Sequence, residues 1–358
     1  MRIGVPREIK PGEGRVALSP SGARVLLARG HAVFVQSSAG LASGFSDAAY
    51  ADVGVTIVPE ACEAWAQDFV LKVKEPLAEE WAFFRPGMLL FSYLHLAAEP
   101  ELENALLHFG VRALAYELVT SRSGGLPLLK PMSEIAGRLA MQAGARALER
   151  ESGGCGLLIS GAPGTRRAEA LVLGGGVVGT EAARMLIGAG ARVSILDVNL
   201  DRLRELEAQF GSHANYLYST RDELEQRLPK TDLLIGAVLR SGERTPVLVD
   251  EALVQAMAPG SAIVDVAVDQ GGCVASTRPT THAEPTYIEH DVVHSAVANM
   301  PGAVPRTSTP ALTNASLDYV LELANAGPVP APETYGECLC AAVSTWDGAL
   351  ARTTMAVA

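Results

Sequence analysis

The sequence predicts an α/β protein of two domains, each built around a mainly parallel sheet. Three observations carry that expectation: a length of 358 residues, short apolar runs that alternate with helix-like stretches, and a second round of the same alternation after a long amphipathic segment. Single domains usually hold roughly 100–200 residues, so this length fits two cores better than one. Strands that alternate with helices imply parallel pairing.

The first alternation runs from a strand over residues 2–5, through a helix over 21–29, to a strand over 32–36. Ser19-Pro20 gives that helix a cap-like start with an early proline, and Gly30 stands just past its end. Apolar segments at 69–73, 88–93 and 113–116 continue the sheet. Residues 133–150 carry Ile135, Leu139, Ala143 and Ala147 at fourfold spacing and predict a long helix, with Gly137 and Gly144 as its weak points. Gly153-Gly154 and Gly161-Ala162-Pro163-Gly164 then mark a loop, and Arg166-Arg167 is expected at the surface.

From residue 170 the pattern repeats as a strand over 171–173, a helix over 180–189, a strand over 192–196 and a helix over 200–209, with further strands at 233–238 and 262–268. After Pro301, a turn-rich run to Pro310 leads to a helix over about 312–326, a proline-rich loop at 328–332 and a last short helix.

Composition removes several function classes. Hydrophobic residues make up 48% and charged ones 19%, enough apolar surface for compact cores. The net charge of -11 offers no general basic field for phosphates and argues against a nucleic-acid partner. Met1-Arg2-Ile3-Gly4-Val5-Pro6-Arg7-Glu8 sets charges where a signal peptide needs an apolar run, and no stretch reaches the ~20 apolar residues of a membrane span. A cytoplasmic location follows as the expectation. The five cysteines are odd in number and scattered, which predicts reduced thiols, and Cys338-Leu339-Cys340 has no second pair at zinc spacing, so no metal is expected.

The sharpest local signal is Leu171-Val172-Leu173-Gly174-Gly175-Gly176-Val177-Val178-Gly179. A glycine motif that follows a strand and opens a helix lets a pyrophosphate reach backbone N–H groups and the helix dipole, which makes Gly174, Gly176 and Gly179 cofactor-binding candidates. Asp197 ends the next strand near the ~20-residue distance expected of a carboxylate that binds a ribose diol. A 2′-phosphate would meet that negative charge, so NAD is favoured over NADP. Arg202, one helical turn later, pulls the other way.

Arg15, Lys74, His95 and Asp269 all stand at or just past the ends of predicted strands, where open α/β sheets place their ligands. Sequence physics alone stops at a nicotinamide-dependent oxidoreductase with an anionic substrate. The chain, however, resembles the alanine dehydrogenases from end to end. The blocks that carry the resemblance are Gly4-Val5-Pro6-Arg7-Glu8 with Arg15-Val16-Ala17, Lys72-Val73-Lys74-Glu75-Pro76, Tyr93-Leu94-His95-Leu96, Pro131-Met132-Ser133-Glu134, Asp265-Val266-Ala267-Val268-Asp269-Gln270-Gly271-Gly272-Cys273, and Val297-Ala298-Asn299-Met300-Pro301. The related transhydrogenase nucleotide-binding subunit shares some of them.

That resemblance implies two Rossmann-like doubly wound domains with the active site in the cleft between them. It implies a discontinuous substrate domain over 1–130 plus 304–358, an NAD-binding domain over 131–303, and a homohexamer. It further implies NAD-dependent interconversion of L-alanine with pyruvate and ammonia, Arg15 and Lys74 as substrate-binding residues, His95 and Asp269 as the acid/base pair, and Ser133, Val238, Leu239, Asn299 and Met300 beside the cofactor. A planar guanidinium suits a carboxylate, and an imidazole suits proton transfer near neutral pH. Two alternatives stay open: a dehydrogenase of another small 2-amino acid, such as glycine, serine or 2-aminobutyrate, and a catalytically silent NAD(H)-binding module.

Overall fold

The structure is a computed structural model that describes residues 1–238, 245–327 and 331–351. The chain divides into two units, residues 1–132 with 302–358 and residues 133–301.

In the first unit, β1 (Arg2–Val5), β2 (Ala32–Gln36), β3 (Thr56–Val58), β4 (Phe69–Leu71), β5 (Leu89–Ser92) and β6 (Arg112–Ala115) form a parallel sheet in the order β3-β2-β1-β4-β5-β6. The helix Pro20–Ala28 joins the first two strands. Ser19 caps it by accepting from the Gly22 N–H, and proline occupies its first turn, as the sequence predicts. Trp65, Val70, Phe84, Leu90, Leu94, Leu102 and Leu106 pack as one buried cluster against β4, β5 and β6.

The second unit repeats the plan with β7 (Glu169–Leu173), β8 (Arg192–Asp197), β9 (Ala214–Tyr218), β10 (Leu233–Gly236), β11 (Ala262–Asp265), β12 (Thr286–Glu289) and β13 (Val292–Ser295), ordered β9-β8-β7-β10-β11-β13-β12. Alternate residues explain why both faces are covered. Ala170, Val172, Val193, Ile195, Leu233 and Ile235 enter one buried cluster, while Leu171, Leu173, Leu196 and Leu234 enter another. In both sheets the chain winds outward from the first strand and then reverses, so a topological switch point falls between β1 and β4 and again between β7 and β10.

The chain then returns to the first sheet: β14 (Val343–Trp346) adds antiparallel to β6, and β15 (Ala349–Leu350) pairs with β14. The sequence reading ends at a last short helix, found at Glu337–Cys340, and misses this hairpin. The helix expected near residue 312 begins at Pro305 and runs to Ala326. Pro305 occupies its first turn, and Pro310 costs only one backbone bond early in a 22-residue helix, so the prolines read as turn signals lie inside it. The central helix spans Leu129–Ala147, starting four residues before Ser133, which therefore lies inside it. Its glycines are contact points: a Cβ on Gly137 would meet the Val178 carbonyl oxygen at 2.2 Å, and one on Gly144 would meet the Leu233 side chain at 2.6 Å.

Candidate active site

The loops that follow β1, β4, β5 and β6 lie at the same edge of the first sheet, because those strands are adjacent and parallel. Arg15 comes after β1 and Lys74 after β4, the two strands that flank the switch point. His95 follows β5, and Glu117, which the sequence reading leaves out, follows β6.

Arg15 is only 2% exposed. Its Nε and Nη2 donate to Glu13 Oε1 and Oε2 at 2.7 and 2.5 Å, and Nη1 donates to Met132 Sδ at 3.0 Å. Burial opposes the charge, but the Glu13 carboxylate outweighs it and holds the guanidinium above its ordinary range. Lys74 lies 3.9 Å from Glu75, which also pairs with Lys10. Burial pushes the Glu75 carboxyl up, and the two lysines together bring it below its usual value.

The segment that carries Lys74 is bound by a buried charged triad. Lys72, 1% exposed, donates to Glu8 Oε2 at 3.1 Å and to Glu80 Oε1 at 2.9 Å. The other oxygens of these carboxylates accept the Val73 and Leu77 N–H groups at 2.6 and 2.9 Å, so the triad fixes the loop on which Lys74 and Glu75 stand.

His95 is 42% exposed at its side chain. Its ring stacks on Tyr93 with centroids 5.8 Å apart and planes within 1°, and the Tyr93 hydroxyl donates to the Leu128 carbonyl at 2.7 Å. Burial pushes the Tyr93 phenol up, despite the nearby Arg15 cation, so it remains a neutral platform.

In the second unit, β7 runs into Gly174–Gly179 and the helix Val177–Gly188. Gly174 has φ +93°, and a Cβ on Gly179 would sit 1.8 Å from the Gly174 carbonyl oxygen, so the turn admits no side chain at either place. Nothing lies within 4 Å of a Cβ built on exposed Gly176. Asp197 ends β8; its Oδ2 accepts the Gly175 N–H at 2.6 Å and its Oδ1 the Asn199 N–H at 2.8 Å. Arg202 donates to the Gly175 carbonyl, to Thr180 Oγ1 and to Glu205. Val238, beyond β10, has its Cα 3.2 Å from the Cβ position of Gly174.

Asp269 falls in the turn Val266–Gln270 after β11, and its side chain lies outside the described residues. Leu239 lies outside them altogether. Asp265 anchors this loop by accepting the Ala267, Cys273 and Val274 N–H groups. Asn299 has a left-handed backbone, φ 58°, and Met300 is buried in the second unit's core. Ser133 is half-buried. Among the described residues, no group of three or more His, Cys, Asp or Glu side chains is arranged to hold a metal ion, and no helix is long and apolar enough to cross a membrane.

Two doubly wound sheets, one opening on a glycine turn backed by an aspartate, define a Rossmann-like nucleotide-binding protein. Residues 4–136 match the model described as alanine dehydrogenase/PNT, N-terminal domain, and residues 140–353 match that of the C-terminal domain. The alanine dehydrogenase of Bacillus subtilis (strain 168) is 54% identical over 332 residues, covering 92% of this chain and 88% of the relative. A solved L-alanine dehydrogenase superposes with a TM-score of 0.94 at 51% identity, covering 98% of this chain and 96% of that one. A transhydrogenase from Sinorhizobium meliloti shares the fold, with a TM-score of 0.86 at 24% identity over 98% of this chain and 100% of that one. The chain belongs to the alanine dehydrogenase/PNT family.

Proposed function

We propose that this chain catalyses the reversible NAD-dependent oxidative deamination of L-alanine to pyruvate and ammonia. The observation that carries the reading is the placement of Arg15, Lys74 and His95 on loops at one edge of a single sheet, in a chain whose family includes close alanine dehydrogenase relatives. The substrate-binding role belongs to the first unit and the dinucleotide-binding role to the second.

The second unit's turn fits NAD. The lack of side chains at Gly174, Gly176 and Gly179 lets a pyrophosphate approach the backbone at the start of the helix Val177–Gly188, and Asp197 offers a carboxylate to a ribose diol. Arg202 is committed to Gly175, Thr180 and Glu205, which supports NAD over NADP at the position where a guanidinium would otherwise pair with a 2′-phosphate. Ser133, Val238, Leu239, Asn299 and Met300 complete the proposed cofactor contacts. When bound, NAD supplies a hydride acceptor.

Arg15 and Lys74 hold the alanine carboxylate. Glu13 fixes one edge of the guanidinium, and the substrate approaches the Nη1 side, where the thioether of Met132 is a weak acceptor that a carboxylate outcompetes. Alanine must lose its ammonium proton before Cα can release hydride, and His95 accepts that proton. Asp269 polarises the water that adds to the resulting iminopyruvate, and collapse of the carbinolamine releases ammonia. Acid/base groups of this kind contribute on the order of 10²–10⁴ in rate.

Steady-state rates with NAD across L-alanine, glycine, L-serine and 2-aminobutyrate test the reading. L-Alanine is expected to give the highest kcat/KM; a higher value for another amino acid reassigns the substrate, and no NADH formed from any of them points to a silent binding module. The homohexamer and the cytoplasmic location implied by the family belong to the same proposal, and sedimentation equilibrium tests the first.

A further inference from the structure

His95 has a left-handed backbone, φ 49°, a conformation that residues other than glycine rarely adopt and that persists only where the surroundings enforce it. The side chain bound to this turn is that of Glu117. This residue begins the second position of the short turn Tyr116–Leu118, directly beyond β6. Its carboxylate accepts the Leu94 N–H through both oxygens at 3.2 Å and the His95 N–H through Oε1 at 2.6 Å. The same Oε1 lies 3.8 Å from His95 Nδ1, and the Glu117 side chain is largely shielded, 14% exposed. Tyr93 clamps the ring from its flat face, so the imidazole is held both through its backbone and through its plane.

A carboxylate facing one ring nitrogen favours the proton on that nitrogen and leaves the other to exchange protons. We propose that Glu117 is a positioning residue for His95: it fixes the turn that carries the imidazole and holds the proton on Nδ1, so that Nε2 is the atom that takes the proton from the substrate amine. This rests on the assignment of His95 as an acid/base residue in alanine oxidation. The carboxylate has three acceptor duties toward one two-residue segment, more than a solvated surface glutamate would have.

Glu117→Gln tests the proposal, since its amide oxygen still accepts the two backbone N–H groups while the charge is gone. The variant is expected to keep its melting temperature within a few degrees and to bind NADH as the parent does. Its kcat for L-alanine should fall about tenfold or more, and the ¹⁵N spectrum of His95 should shift away from the Nδ1–H tautomer. In a His95→Ala background, the same substitution should change kcat less than about twofold, because its effect passes through the imidazole. Glu117→Gln with parental kcat and an unchanged His95 tautomer overturns the proposal, as does an equal loss in the His95→Ala background. His95→Ala measured alone separates the two ideas: full activity in that variant removes His95 itself and with it the reading on which this inference stands.

Discussion

The carboxylate of Glu13 grips Arg15 along the Nε–Nη2 edge of its guanidinium, at 2.7 and 2.5 Å, with both side chains buried. A lysine at position 15 would keep the charge but lose the planar fork that Glu13 orients. Arg15→Lys is therefore expected to lower kcat/KM for L-alanine by about 10–100-fold, equivalent to roughly 1.4–2.8 kcal/mol. The NADH dissociation constant, measured by fluorescence titration, should stay unchanged; parental kinetics would remove Arg15 from the substrate site.

The Lys72–Glu8–Glu80 triad makes a prediction about stability. Removing one member of a buried ion network strands the others, at a cost of about 3–5 kcal/mol, whereas replacing all members with apolar or neutral groups is often close to neutral. Lys72→Met should lower the urea midpoint substantially, since it leaves two carboxylates buried without their cation. Adding Glu8→Gln and Glu80→Gln should recover much of that loss. Denaturation curves for the single and triple variants decide the matter.

Asp197 offers a test of cofactor choice. Its carboxylate stands at the end of β8, tied to the Gly175 and Asn199 N–H groups, where a phosphate on the ribose would be repelled. Asp197→Ala should raise the NADP-to-NAD ratio of kcat/KM about tenfold or more, a change of some 1.4 kcal/mol. An unchanged ratio would detach this residue from cofactor selection.

His294 provides a pH signature in the second unit. Burial holds its imidazole below the ordinary value of 6.5; the ring lies between Ser276, the Val292 carbonyl and Tyr287. The unfolded chain therefore binds a proton at higher pH than the folded one, so this contribution to stability is complete above about pH 6.5 and declines as pH falls below it. Melting temperatures between pH 7.5 and 5 should drop more steeply for the parent than for His294→Asn. Parallel curves would show that His294 does not titrate on unfolding.

Much of this arrangement is legible in the chain because strand, turn and helix signals agree. The run from Leu171 to Gly179 declares its strand, its glycine turn and its helix at once, and Asp197 falls where the next strand must end. The hairpin of β12 and β13 is harder to read. Its tip is His290-Asp291, both with positive φ, in place of the asparagine-glycine pair that usually signals such a turn. The strand β14 is four residues long and pairs at the edge with β6, so its register depends on a partner more than 200 residues away.

The charged residues divide in the same way. Arg15, Lys74 and His95 obey the rule that ligands gather beyond strand ends, and Glu117 obeys it equally, one residue past a predicted strand. Glu8, Glu80 and Lys72 obey no local rule. Charged side chains read as solvated by default, and only the folded sheet brings Glu8, beyond β1, to Lys72 and Glu80 in the connection between β4 and β5.

In the proposed reaction hydride passes from the alanine Cα to the nicotinamide. L-Alanine deuterated at Cα, incubated with this protein and NAD, tests it most directly by mass and NMR analysis of the reduced cofactor. Direct transfer puts one deuterium at C4 of the nicotinamide for each pyruvate formed. Deuterium found in water, with none in the cofactor, would contradict it.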